Sequence, residues 1–573
     1  MPDQPATAPG RSRDLPVVLR HMLAGVSPLT MLSYLALSLG GALAGGLAAV
    51  WLVPLVQPGH ALVLAGHSFD VRGGVAVQVA AFAAVTAVFA LLRWQAARLG
   101  ARLAGHYGMG LRREVHARLV DASLPSLANA TSAEIANVLT HNAELITQGF
   151  NALMQLLVAM VTAIVSLGLA FWISPTLVLA MPSFALLAML ASRVSSREQE
   201  RVSRQYIVDM TQLFWLSEDF PQRLRHVRSF GKEPAEKAGY GAVSARIAHG
   251  YRRHLELIAS GRLMLELLAA AGLALIFLLA YRVHGADQAS LIAVCLLLGR
   301  LLPYLVLTRQ SFHQLRSAVP AFELWQRYMQ LDADRAPAAP ARATHAAGVL
   351  HIEQLRLAPP LSGVDVQDFS LLPGALTLVC GDSGIGKSSL IDVLAGMVQP
   401  AAFAARIGGR AVGFEEYREL VRHGAYLSQS VRPWQRSVRE CLLWAAPEAT
   451  DELMRRALAD VGLDRRLATS SEGLDTALSD ASSRLSGGEL QRLLLAQVIL
   501  RQPFMALLDE ATSALDEVSE LAVLAAVRRR LPHTILVVVS HRSSVEAIAD
   551  NGLTIGGGAE RTATAFKTAI NGH

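Results

Sequence analysis

Residues 381–388 read Gly-Asp-Ser-Gly-Ile-Gly-Lys-Ser, a string whose residue types suit holding a polyphosphate. Gly381, Gly384 and Gly386 permit a tight turn with inward-facing N–H groups and no Cβ in the way. Lys387 is placed to reach the β- and γ-phosphates, and the Ser388 hydroxyl to ligate Mg²⁺. The preceding run, Leu376–Cys380, is short, apolar and β-branched, which predicts a buried strand. From Ser389 the spacing turns helical, so the phosphate would sit at a helix N-terminus. A chance glycine-rich turn is the plain alternative, and the full eight-residue pattern in strand–loop–helix context argues against it.

Two further strands should deliver groups to the same place. The apolar run Phe504–Leu508 ends in Asp509-Glu510. Asp509 suits the Mg²⁺ shell, and Glu510 suits polarising an attacking water as general base. The run Thr534–Ser540 ends at His541, placed to contact a γ-phosphate. A histidine alone is more often structural; its spacing from the acidic pair favours the catalytic reading.

In this order, these residues resemble the nucleotide-binding domain of ABC transporters, over roughly residues 350 to 560. Gly381, Asp382, Ser383, Gly384, Ile385, Gly386, Lys387 and Ser388, with Ser389 following, match the Walker A loop. Gln429, in Tyr426-Leu-Ser-Gln429, matches the Q-loop glutamine that links Mg²⁺ and the attacking water to the membrane domain. Ser486, Gly487 and Gly488 match the signature that caps the γ-phosphate of a partner. Asp509 and Glu510 match the Walker B pair, Ser513–Asp516 the D-loop, and His541 the switch histidine. The resemblance implies an α/β P-loop ATPase domain that uses ATP and Mg²⁺. It places Ser388, Gln429 and Asp509 at the metal, Glu510, His541 and Gln429 in hydrolysis, and Asp516 with the signature at bound nucleotide. The pattern departs in two places. Leu355–Pro360 holds no aromatic residue to stack on adenine, and 478–483 keeps only Asp480 of the segment that usually precedes the signature.

The other half of the chain reads as membrane. The composition is 52% hydrophobic and 17% charged, where soluble domains carry about 25% charge. Six apolar runs, near 31–56, 75–95, 150–173, 175–195, 262–281 and 287–308, approach the ~20 residues a spanning helix needs. Ser174-Pro175 predicts a tight hairpin between the third and fourth. Arginines crowd the N-terminal arm, the stretch after the second run and the stretch from Arg193 to Arg262; 57–74 holds only Arg72 and 282–288 only Arg282. The positive-inside rule then puts the N-terminus, both long loops and the ATPase in the cytoplasm of an inner (plasma) membrane protein. The same rule accounts for the formal charge of +6, so nucleic acid is not an expected partner. No signal-peptide pattern appears, and the three cysteines show neither metal nor disulfide spacing.

The expected fold is a six-helix all-α transmembrane domain followed by an α/β P-loop ATPase domain. Its divisions are a cytoplasmic arm at 1–25, the transmembrane domain at 26–330, an Ala/Pro linker at 331–348 and the ATP-binding cassette at 349–573. The long loops 96–149 and 196–260 resemble the helical extensions of exporter-type ABC proteins. Leu124-Pro-Ser-Leu…Leu139 and Glu218…Glu233 are similar to the regions around their coupling helices, with Pro221 expected to kink the second.

The signature must serve another chain, so the working unit is expected to be a dimer, homodimer or heterodimer, that moves an amphipathic cargo by alternating access. Export of a peptide, lipid or small molecule is the first reading. An importer on the same fold and a membrane-anchored regulatory ATPase stay open. No Cys/His pair precedes the first span, so leader-peptide cleavage is not expected. Arg300, in the sixth run, costs at least ~2.5 kcal/mol at that depth. Its readings are a contact to an anionic cargo group, a pair with an acid such as Glu266, or snorkelling. Asn151 and Gln155 share one face of the third run, as cavity lining or as helix-joining groups.

Overall fold

The structure, a computed structural model, describes residues 14–56, 62–64, 67–69, 74–128, 130–173, 198, 201–202, 204–217, 220–282, 288–333, 348–358, 364–429, 431–468, 470, 472–478, 485–556 and 561–567. The apolar run 175–195, the Ser174-Pro175 junction, residues 334–347 of the linker, and Asp480 lie outside these residues. The chain divides into two compact units, Met1–Ala122 with Ser126–Ala333, and Asp334–His573 with Ser123–Pro125.

Among its described residues the first unit is helical apart from one short hairpin, Leu62–Leu64 against His67–Phe69. Helices Pro28–Leu52, Val75–Val120 and Ser132–Ile173 are each long and apolar enough to cross a membrane. The fifth and sixth apolar runs fall within helices Glu233–Arg282 and Gln288–Met329. Val75–Val120 has 46 residues and Glu233–Arg282 has 50. At 1.5 Å per residue these are about 69 and 75 Å long, more than twice the ~30 Å hydrocarbon core, so both continue well beyond a bilayer. Residues 218–219, just before Pro221, lie outside those described, so the expected kink there does too. Pro221 itself is the second residue of helix Phe220–Ser229.

Close packing holds this unit together. Gly149 lets helix Ala143–Ile173 approach Gln288–Met329 so closely that a Cβ there would lie 2.5 Å from that of Ala318. Phe150 stacks on Tyr107 at 4.5 Å, and the Trp325 indole N–H donates to the Leu111 carbonyl at 3.3 Å. The short helix Asp14–Ala24 buries Val18 and Met22 in the same core. Gln155 accepts from the Ser311 hydroxyl at 3.5 Å, which joins two helices, while Asn151 is exposed. One π-turn, Val138–Asn142, interrupts the helix that starts at Ser132. Asn142 is fully buried there, and neither its amide oxygen nor its nitrogen has a hydrogen-bond partner.

The second unit is built on a sheet of ten strands. In chain order they are β1 (Leu350–Arg356), β2 (Val364–Leu371), β3 (Leu376–Gly381), β4 (Ala402–Ile407), β5 (Arg410–Val412), β6 (Ala425–Ser428), β7 (Met505–Asp509), β8 (Ile535–Val539), β9 (Asn551–Ile555) and β10 (Arg561–Lys567). Their spatial order is β5-β4-β1-β2-β10-β9-β3-β8-β7-β6. Strands β3, β8, β7 and β6 are mutually parallel. β7 and β8 are buried at every residue, as parallel strands covered on both faces must be. The apolar runs that predicted strands at 376, 504 and 534 thus form three neighbours in the parallel part of the sheet, beside the edge strand β6.

Candidate functional site

Parallel pairing puts the C-terminal ends of four strands along one edge, which is where open α/β sheets bind ligands. Register makes this explicit. Val379, Val539, Asp509 and Ser428 pair across β3, β8, β7 and β6 as one row. The next residues along their strands are Cys380, Ser540, Glu510 and Gln429. Glycine loop, histidine, acidic pair and glutamine, scattered over 160 residues of sequence, therefore converge at a single edge.

The loop after β3 closes on itself. Gly381 has φ +148 and Gly386 φ +112, and a Cβ on Gly381 would lie 2.9 Å from the Ile555 carbonyl oxygen. Only glycine fits there. Lys387 opens helix Lys387–Leu394 and is buried; its ammonium donates to the carbonyls of Gly381 at 2.8 Å and Asp382 at 2.9 Å. The cation is thus held over the loop, while the space a Cβ would fill at Gly384 is open. A ring of backbone N–H groups with a fixed cation fits a triphosphate. Ser388 is exposed beside it.

Asp509 ends β7 and is buried at 8% exposure. Glu510 follows in the left-handed region, φ +51, a conformation non-glycine residues rarely adopt and one often kept where function needs it. Its N–H bonds the Val539 carbonyl at 3.2 Å, so the turn is pinned to β8. The turn brings the Glu510 carboxylate 3.4 Å from His541 Nε2. A carboxylate and an imidazole in this relation can take a proton from water and orient the group that leaves it. A buried acid one residue away, with an exposed hydroxyl at Ser388, offers the oxygen ligands that Mg²⁺ prefers. Gln429 is exposed at the tip of β6.

The signature residues belong to a different part of the unit. Ser486 caps helix Gly487–Arg501 in a reciprocal box with Glu489, with Ser486 N–H to Glu489 Oε2 at 2.6 Å and Glu489 N–H to Ser486 Oγ at 3.3 Å. Ser486 and Gly487 are exposed. Gly488 is tight, since a Cβ would lie 3.1 Å from the Ala514 carbonyl. This leaves a solvent-facing helix N-terminus suited to an anion. Asp516 caps the next helix, Glu517–Arg530, accepting from the Ser519 N–H at 2.7 Å and hydroxyl at 2.9 Å. Those bonds hold its carboxyl below the usual carboxylate range.

Sequence reasoning missed what fixes this loop. Arg542 donates to the Ser513 carbonyl at 3.0 Å, the Leu515 carbonyl at 2.8 Å and Glu520 Oε2 at 2.7 Å. Glu520 is 1% exposed and also accepts from Thr512 at 2.6 Å. Gln491 of the signature helix accepts from the Ala514 N–H at 2.9 Å. Arg542 directly follows His541, and that adjacency was the one available signal; Glu520 reads in sequence as an ordinary helix-surface acid. Replacing Arg542 by Ala strips a buried carboxylate of its cation and the 513–516 loop of two anchors. We expect a loss of about 1.5–3 kcal/mol, read by thermal unfolding, together with reduced ATP turnover.

In the membrane unit Arg300 is half-buried. Its guanidinium lies 5.0 Å from the centroid of the Phe89 ring and its Nη1 donates to the Ala42 carbonyl at 3.4 Å. Nη2 is buried with no hydrogen-bond partner. Gly45 makes room, because a Cβ there would collide with the guanidinium. Glu266 is not its partner: that carboxylate pairs with Arg262 at 2.8 Å.

The sequence families agree with both halves. Residues 364–513 match the family "ABC transporter", and residues 34–298 match "ABC transporter transmembrane region". This chain belongs to the ABC transporter family. Membrane region and ATPase domain lie in one chain, so it is a half-transporter. It is similar to the ATP-dependent lipid A-core flippase of Burkholderia pseudomallei, 25% identical over 569 residues, covering 95% of this chain and 91% of that one. It is also similar to the heterocyst differentiation ATP-binding protein HepA of Nostoc sp., 25% identical over 452 residues, covering 77% and 73%. A solved bacterial Atm1-family ABC exporter with ATP bound shares the fold, with a TM-score of 0.74 at 21% identity over 94% of each chain. The half-transporter is a multi-pass membrane protein of exporter type whose ATPase is coupled to transport.

Proposed function

We propose that this half-transporter works as a homodimer that moves an amphiphile with an anionic head group across the membrane, outward from the cytoplasmic side. The observation that carries the cargo class is Arg300. It is a cation at the depth of the sixth apolar run, with a buried, unpartnered Nη2 and a face resting on Phe89. A charge there is costly unless something anionic meets it. Arg93, within electrostatic reach of Arg300, adds to the positive field. Relatives named as lipid A-core flippases support a lipid over a peptide.

The domain division of arm 1–25, transmembrane domain 26–330, linker 331–348 and cassette 349–573, with six spans and a cytoplasmic ATPase, belongs to the same reading. In each cassette, residues 381–389 hold the triphosphate, with Ser388, Gln429 and Asp509 disposed for Mg²⁺. That ion would supply charge neutralisation on the phosphates. Glu510 accepts the proton of the attacking water, and His541 orients it. Ser486–Gly488 of one protomer face the nucleotide of the other, since their exposed helix start has to meet its phosphate from outside. Closure of the cassettes drives the membrane unit between two states that bind ATP differently.

The test is translocation in proteoliposomes. Fluorescent lipids with phosphate-bearing and with zwitterionic heads are compared, for the native chain and for Arg300→Ala. ATP-dependent movement that favours the anionic head, with that preference lost in the variant, is expected. Equal handling of both heads by the native chain would overturn the cargo assignment.

A further inference from the structure

Glu489 is the third residue of helix Gly487–Arg501, whose start carries the signature. Its carboxylate folds back onto that start. Oε2 accepts the Ser486 N–H at 2.6 Å, and the Ser486 hydroxyl accepts the Glu489 N–H at 3.3 Å. Among the described residues the N–H groups of Gly487 and Gly488 have no acceptor, so these two are what remains for a phosphate. A glutamine at this position would complete the same reciprocal cap without a charge. The carboxylate is therefore more than the cap needs, and its sign opposes the ligand. A helix start offers about half a positive charge. One carboxylate laid against it outweighs that and turns the mouth of the site negative, where a triphosphate has to approach. A cation restores the balance. Arg466, on the short helix Asp464–Ala468, brings its Nε to 3.4 Å from Glu489 Oε1, the oxygen that Ser486 does not use. Both side chains are partly exposed, so the pair adds little to stability. Its sign matters for an approaching polyanion.

We propose that Arg466 and Glu489 form a charge-compensating pair that sets how strongly the signature of one protomer holds the triphosphate bound to the other. Arg466 is the positioning residue: it acts through Glu489 and keeps the helix start receptive to an anion. The proposal rests on the reading, given above, that Ser486–Gly488 meet the nucleotide of the second protomer. Neither side chain has to touch the phosphate. The pair acts through the field at the two open N–H groups, so losing the cation weakens capture of ATP more than it slows the bond-breaking step.

The test is steady-state ATP turnover of the full-length protein in lipid nanodiscs, at low and at high salt. Arg466→Ala should raise KM for ATP roughly fivefold at low salt, the size of one charge acting at a helix start, with kcat moving less. Arg466→Lys should stay close to native, because an ammonium supplies the same charge. Glu489→Gln keeps the cap and should lower KM. The deciding variant combines Arg466→Ala with Glu489→Gln: with no carboxylate to offset, loss of the arginine should no longer raise KM. The Arg466→Ala defect should also shrink in high salt. A purely structural role would show as a lower melting temperature, with the same effect of Arg466→Ala in both backgrounds. Unchanged KM in Arg466→Ala, or an equal defect in the Glu489→Gln background, would overturn the pair. Gly487→Asp is the separate control. A Cβ there meets only that of Ala514, at 3.9 Å, so the carboxylate fits. If this variant turns over ATP as the native chain does, the signature reading fails and the pair with it. If it loses turnover while Arg466→Ala keeps the native KM, the pair alone fails.

Discussion

Glu510→Gln should cut ATP turnover by at least ~100-fold, the lower range for removal of a general base, while ATP still binds. The isosteric amide leaves the glycine loop and the two carbonyl bonds of Lys387 untouched. What disappears is the proton acceptor, held in a left-handed turn 3.4 Å from His541. Turnover and equilibrium ATP binding, measured on the same nanodisc preparation, separate the two effects. His541→Ala should fall less far, because imidazole orients rather than receives. A Glu510→Gln variant that hydrolyses at the native rate would move the base elsewhere.

The second large effect concerns the membrane unit. Gly45→Leu fills the space that the Arg300 guanidinium occupies. The cation then loses the Phe89 face and the Ala42 carbonyl together. An uncompensated arginine at the centre of a span costs about 2.5–3.5 kcal/mol by insertion scales. We expect a sharply lower melting temperature in detergent or poor membrane accumulation. Adding Arg300→Leu should restore much of the loss by removing the charge and freeing volume. If the double variant stays as unstable as Gly45→Leu, close helix packing and not the charge explains the glycine.

The ATPase site was legible because its chemistry is local. The three strands and the loop between Gly381 and Ser388 are short runs with sharp ends, and the groups they carry are the residues that follow each run. Parallel pairing then does the rest, since strands that run the same way bring their C-terminal residues to one edge. The exporter-type arrangement followed from helical patterns too long for a bilayer. Contacts made across the fold were not legible. Nothing in the sequence connects Arg542 with Glu520, whose helix looks solvent-facing until its carboxylate is found buried. Glu266 seemed the natural acid for Arg300, but it lies one turn from Arg262 on the same helix and takes that nearer cation.

The π-turn at Val138–Asn142 acts as an angular offset. Such a turn closes over five residues where an α-turn closes over four, and each helical residue turns the chain by about 100°. The extra residue therefore sets how everything from the Thr131 cap to Asn137 is aimed relative to the helix that follows. It also carries Asn142, whose amide is buried there without a hydrogen-bond partner. Deleting one residue of the turn should rotate that segment by about 100° about the helix axis.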